Sequence, residues 1–354
     1  MADGHAGSLL RRAEGVLYWA VAAPVLGRMP AALGYRLACR RGDWLFAHET
    51  GKRAELARNL QHVLGDDLGS EAAQQMTREW FRLASCEAVD VKRLRQSGRA
   101  LRRLVEIRGR EHLETALAAG NGVIICSAHF GSYDSAFSML GASGYPVTTI
   151  GRWQHNYTAG LSAAERRFWD RVHATPLRRH RERPNIEPWP GRFDVGARAA
   201  AVLRANEVLT IVIDAPPLDS DKTRTVEVPF LGRRARLVPG VVTLAQLTGA
   251  PVLMGFMYRS ADYWHQVLEI SAPLPMEGDQ SAAFTRFAAD MSTAIARSPA
   301  HWRYWASTAD LANLGLVPTK RDGARQPDLA QLADESFLTD RPAEPSADRL
   351  AAPG

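Results

Sequence analysis

His129, Gly131, Ser132 and Asp134 fall within six residues, directly after the apolar run Val123 to Ala128. The run has the length and β-branched content of a buried strand, and Asn121-Gly122 before it is turn chemistry. In open α/β sheets, the C-terminal end of a strand is where the chain turns into a helix and where ligands are met. A histidine and an aspartate separated by four residues can meet across such a turn. The carboxylate then accepts one imidazole N–H and fixes the tautomer, and the other nitrogen is free to act as a general base near neutral pH. Gly131 permits close approach of the backbone to a bound group, and amides near Gly131 and Ser132 are candidates for stabilising an oxyanion. There is no Gly-x-Ser-x-Gly elbow, which argues against Ser127, Ser132 or Ser135 as a covalent nucleophile. A buried histidine satisfied by its neighbour, with Ser132 as a helix cap, explains the same residues without chemistry.

A second apolar run, Val208 to Ile213, ends at Asp214 as the first ends at His129. Two neighbouring parallel strands would bring both residues to one crevice, where Asp214 orients the histidine or an arginine. A turn-forming aspartate before Ala215-Pro216-Pro217 is the plain alternative. His301, in Pro299-Ala-His-Trp-Arg-Tyr-Trp305, reads as aromatic packing rather than as a base. The scattered acids and histidines lack a metal-ligand spacing such as His-Glu-x-x-His, so no metal is expected.

The His129 block after its strand is similar to the His-x4-Asp/Glu motif of glycerolipid acyltransferases. More closely, the chain resembles the bacterial late acyltransferases of lipid A biosynthesis and the related phosphatidylinositol mannoside acyltransferases. Four blocks carry the resemblance: Arg58-Asn59-Leu60, the His129 block, Val212-Ile213-Asp214 followed by Val228-Pro-Phe-Leu-Gly232, and Pro299-x-His-Trp302. Their order and spacing, over roughly residues 8 to 315, matter more than any one of them. The resemblance implies transfer of a fatty acyl group from an acyl carrier protein or coenzyme A thioester to a hydroxyl or amine of a lipid or glycolipid. That thioester is a co-substrate, and no other cofactor is implied. It also implies His129 as base, Asp134 and Asp214 as supporting acids, Arg152 or, second, Arg171 as a phosphate ligand, and Phe230 and Gly232 beside the acyl chain. Two rivals use the same features. A thioesterase or lipid hydrolase would activate water with the His–Asp pair, and a non-catalytic peripheral membrane protein would use only the basic and aromatic segments.

The elements that must position these groups set the architecture. The expected fold is α/β: a mixed central sheet flanked by helices, with an N-terminal helical region docking on the membrane. The expected divisions are 1–110 for that region, 111–317 for the catalytic core and 318–354 for a flexible, proline- and charge-rich tail. Of 354 residues, 46% are hydrophobic, enough for a substantial core and incompatible with disorder throughout. The net charge of +6 and pI near 9.5 suit an anionic membrane surface or an acidic carrier protein. No nucleic-acid-binding signature accompanies the charge.

Residues 16–26, with Tyr18 and Trp19 among aliphatics, contain Pro24 and are too short to span a bilayer. They suit a helix in the membrane interface or an ordinary core helix, and the resemblance implies docking at the cytoplasmic face of the inner membrane. The basic stretch 92–110 reads as a solvated helix face or a membrane-facing patch. Residues 176–194, rich in proline and arginine, look like an insertion relative to the family and read as a surface or acceptor-binding loop. Cys39, Cys86 and Cys126 show neither disulfide pairing nor metal spacing and read as reduced thiols.

Overall fold

The computed structural model describes residues 14–65, 68–93, 101–151, 185–188, 194–216, 224–276 and 279–318. Among them, β2 (Val123–Ser127) is buried along its whole length. Its side chains alternate between two cores: Ile124 and Cys126 enter one cluster, Val123 and Ile125 the other. A strand apolar on both faces needs cover on both, which is why its sequence is a continuous apolar run rather than an alternating one. The six-stranded sheet runs β1-β8-β7-β2-β4-β3, with β1 at Val105–Arg108, β3 at Val147–Ile150, β4 at Val208–Val212, β7 at Val252–Arg259 and β8 at Gln266–Ile270. All neighbours are parallel except β7 and β8, so the sheet is mixed, as expected.

Three details differ from the sequence reading. Residues 251–258 and 264–270 read from their apolar runs as a late antiparallel edge, but β8 is not an edge, because β1 pairs outside it in parallel register. That strand lies inside the stretch read as an N-terminal helical region, so the chain enters the sheet before residue 110. Within 176–194 only 185–188 and 194 are described, and Ile186 is buried. It extends the β3 edge, its amide donating to Thr149 O (2.9 Å) and its carbonyl accepting from Gly151 N (3.2 Å).

Helices cover both faces. α5 (Arg110–Ala118) and α6 (Tyr133–Ala142) supply Leu113, Phe137 and Leu140 to one core. α3 (Thr50–Leu64), α8 (Gly240–Thr248) and α9 (Gln280–Arg297) supply Leu56, Leu60, Val242, Phe284, Phe287 and Met291 to the other. α7 (Val195–Arg204) packs Ala199 and Leu203 on the same side. The two-stranded hairpin β5 (Val226–Phe230) and β6 (Arg233–Leu237) turns on Leu231 and Gly232, both at positive φ (51° and 73°), the conformation a two-residue hairpin loop demands.

The N-terminal layer begins with a helical segment whose π turn, Tyr18–Ala22, leads into α1 (Ala23–Arg28). α2 (Ala31–His48) then packs along α4 (Ser70–Arg93). Their contacts form rungs four residues apart, as antiparallel helices require: Tyr35 with Asp90, Cys39 with Cys86 (Sγ–Sγ 3.6 Å), and Asp43 with Arg82 (2.8 Å). Gly42 allows the approach, since a Cβ there would collide with the Arg82 backbone. All three cysteines are free thiols, and burial pushes the Cys126 thiol well up, so it stays protonated.

Tyr18 is not an interface anchor. It is buried, donates to Ser85 O (2.6 Å) and lies under the Arg41 guanidinium. Arg93, read within the basic patch, is also buried and binds the carbonyls of Leu26 and Met29 at the end of α1. No helix among the described residues is long and apolar enough to cross a membrane.

Candidate active site

The register of β2 and β4 builds the site. Ser127 lies opposite Val212, so His129 and Asp214, each two residues further on, leave the sheet side by side. Asp214 is fully buried. Its Oδ1 stands 2.8 Å from His129 Nδ1, and its Oδ2 accepts both the His129 backbone N–H (2.8 Å) and the Trp302 indole N–H (2.8 Å). Burying a carboxylate costs several kcal/mol even after relaxation. Hydrogen bonds to a charged group return about 1.5–3 kcal/mol each, so three of them are the scale of compensation required. Oδ2 faces two fixed donors and accepts from both, and a carboxylate Oδ1 beside the ring places the proton of a neutral imidazole on Nδ1. Nε2 makes no hydrogen bond among the described residues, and the His129 side chain is 11% exposed. The imidazole sits between the rings of Tyr133 (centroids 5.1 Å) and Tyr304 (4.8 Å).

The carboxylate on the imidazole is therefore Asp214 and not Asp134. α6 begins at Tyr133, which puts Asp134 in the helix's first turn, beyond a positive-φ glycine. Acids there complement the helix dipole. Asp214, by contrast, is level with His129 across a strand pair.

Gly131 also serves a different purpose from the one its sequence suggested. At φ 58° it passes so close to β7 that a Cβ would be driven into the Met257 carbonyl oxygen. Its amide donates to His301 O (2.8 Å), and Arg303 N donates to His129 O (2.9 Å). The amides of His129, Phe130 and Gly131 are all engaged, which closes Gly131 as an oxyanion donor. Ser132 occupies the N-cap position of α6 without capping it. Its hydroxyl donates instead to Asp90 Oδ2 (2.6 Å).

The final aromatic element completes the arrangement. Trp302 and Trp305 are fully buried, and Trp302 meets Phe230 edge-on (5.6 Å). Phe230 thus packs behind the residue that holds Asp214, while Gly232 is in the hairpin turn. Asn59 Nδ2 donates to Trp305 O (2.9 Å), tying the Arg58-Asn59-Leu60 block to this element. His301 stacks on Phe130 (5.2 Å), and its Nε2 accepts the Arg259 amide (3.1 Å). Burial, then the nearby Arg259 and Arg297 charges, pull its pKa down to about 3. Arg152 and Arg171 lie outside the described residues.

Sequence reasoning missed Asp90, Arg259 and the role of Trp302 as a donor to Asp214. Asp90 is 2% exposed and accepts from Tyr35 (2.5 Å), Ser132 (2.6 Å), Gln266 (3.1 Å) and Arg259. Burial works against the Arg259 charge, but the Asp90 carboxylate restores it, and the net effect raises its pKa. The available signal was an acid on the face of α4 that carries Cys86 and Val89.

A family model for bacterial lipid A biosynthesis acyltransferases matches residues 8–306. Over 294 residues the chain is 28% identical to a phosphatidylinositol mannoside acyltransferase of Mycobacterium tuberculosis, covering 80% of this chain and 85% of that protein. It is 26% identical over 266 residues to the protein of the same name from Mycolicibacterium smegmatis, covering 73% and 79%. It is 20% identical over 302 residues to a lipid A biosynthesis acyltransferase of Haemophilus influenzae, covering 84% and 86%. A strand-end histidine locked to a buried aspartate thus lies within a match that spans most of the chain, and the chain belongs to the bacterial lipid A biosynthesis acyltransferase family and is an acyltransferase.

Proposed function

We propose that the protein moves a fatty acyl chain from an acyl carrier protein or coenzyme A thioester to a hydroxyl, or an amine, of a lipid or glycolipid, with His129 as general base. The observation that carries this reading is the bond between His129 Nδ1 and Asp214 Oδ1 (2.8 Å). Nε2 takes the acceptor's proton as its oxygen attacks the thioester carbonyl, and Asp214 stabilises the imidazolium that forms. Collapse of the tetrahedral intermediate expels the thiolate, which recovers the proton from Nε2. Asp134 adds a carboxylate in the first turn of α6, Arg152 or Arg171 binds a donor or acceptor phosphate, and Phe230 and Gly232 border the acyl chain. The relatives' names refer to glycolipids, which supports an acceptor of that class.

Docking is assigned to the N-terminal helices at the cytoplasmic face of the inner membrane. Leu17, Val21 and Val25 are exposed at four-residue spacing, and Leu33 and Trp44 are exposed on α2, with Arg36 and Arg40 exposed on that helix. An apolar stripe beside basic residues suits an anionic lipid surface.

The test is product analysis by mass spectrometry with purified protein, acyl carrier protein and coenzyme A thioesters, and a panel of lysolipid and glycolipid acceptors. Acylated acceptor and free thiol should appear in equal amounts. Free fatty acid released irrespective of acceptor would instead indicate a hydrolase.

A further inference from the structure

The loop that carries His129 is closed into a ring of hydrogen bonds whose far side is Asp90. Ser132 Oγ donates to Asp90 Oδ2 (2.6 Å). Gly131, its neighbour, donates its amide to His301 O (2.8 Å). His301 Nε2 accepts the amide of Arg259 (3.1 Å), and the Arg259 guanidinium returns to Asp90 Oδ2. All five residues line one cavity of about 40 Å³. Asp214 holds His129 from the β4 side, and this ring holds residues 131–132 from the α4 side.

Two features set the ring apart from ordinary packing. A serine at an N-cap normally accepts a helix amide, a contact worth about 1 kcal/mol. Ser132 gives that up to face Asp90. The Asp90–Arg259 pair is also almost completely buried, with side chains 1% and 4% exposed. Such pairs are often no more stabilising than apolar residues of equal volume. Oδ1 is fixed in turn by Tyr35 and Gln266, and burial followed by the Asp90 charge pushes the Tyr35 phenol well up, so it remains a donor.

We infer that Asp90 is a positioning residue for the acyl transfer: through Ser132 and Arg259 it fixes the His129–Ser132 loop so that Nε2 meets the acceptor at reacting distance. This rests on His129 being the base. Positional precision of this kind is where rate is lost steeply, since a displacement of about 1 Å can cost on the order of a hundredfold.

The experiment compares Ser132→Ala, Ser132→Thr, Asp90→Asn and the Ser132→Ala/Asp90→Asn double variant in the full chain, with His129→Ala alongside. Thermal melting is recorded for each. Ser132→Ala should keep its melting temperature within a few degrees, lose about tenfold in kcat and hold KM for the thioester within about twofold. Ser132→Thr, which keeps the hydroxyl, should restore most of the rate. The double variant should lose less than the product of the two single losses, because both cut one circuit. Wild-type kcat in Ser132→Ala while His129→Ala is inactive would overturn the inference and leave the base intact. An active His129→Ala would instead remove the reading on which it rests.

Discussion

Asp214 holds His129 twice, by the backbone amide and by ring Nδ1, each at 2.8 Å. One carboxylate therefore sets both where the loop leaves the sheet and which nitrogen carries the proton.

Asp214→Asn cannot satisfy that geometry. If the new amide NH2 replaces Oδ2, it faces the His129 and Trp302 N–H donors. If it replaces Oδ1, it donates to Nδ1 and moves the imidazole proton to Nε2. The expected loss in kcat is roughly 10²- to 10⁴-fold with a folded protein, checked by steady-state kinetics and circular dichroism.

Trp302→Phe keeps an aromatic ring in the core but withdraws one donor from a fully buried carboxylate. A cost of about 1–3 kcal/mol in unfolding free energy is expected, together with a smaller fall in kcat than Asp214→Asn causes. Denaturant titration reads the first and initial rates the second.

Gly131→Ala should be severely destabilising. The added Cβ meets the Met257 carbonyl in a left-handed conformation, and the adjoining residues are pinned on both sides. Soluble yield and melting temperature should both fall sharply. An unchanged melting temperature would mean that the loop does not approach β7 as described.

His301 makes stability depend on pH. Its pKa is held at about 3 against an ordinary 6.5, so the unfolded chain binds the proton more readily between those values. The contribution is complete above pH 6.5 and is lost as pH falls towards 3. His301→Gln, which cannot titrate, should flatten the decline in melting temperature between pH 6.5 and 4. An identical pH profile for variant and wild type would count against a buried neutral imidazole.

Much of this was legible in the chain, and for a definable reason. Val123 to Ser127 and Val208 to Val212 are short apolar runs with a polar residue just beyond each, so the strands and the shared crevice of His129 and Asp214 follow from periodicity and turn chemistry. Asp134 stands near His129 in sequence, and proximity along the chain favoured it as partner. The strand register, with its parallel neighbour 85 positions away, decided otherwise. Gly131 announces close approach, and what it approaches is not a bound group but the strand that begins at Val252. Trp302 reads only as part of an aromatic cluster and Asp90 goes unnoticed, because their partners are 88 and 42 positions distant. Residues 105–108 were masked as a strand by flanking arginines that suggested a basic helix.

The most direct measurement is single-turnover acyl transfer by His129→Ala, with a thioester donor and a glycolipid acceptor and with melting recorded in parallel. A folded variant slowed by about a thousandfold or more is the expected result. Transfer at the wild-type rate would contradict His129 as the base.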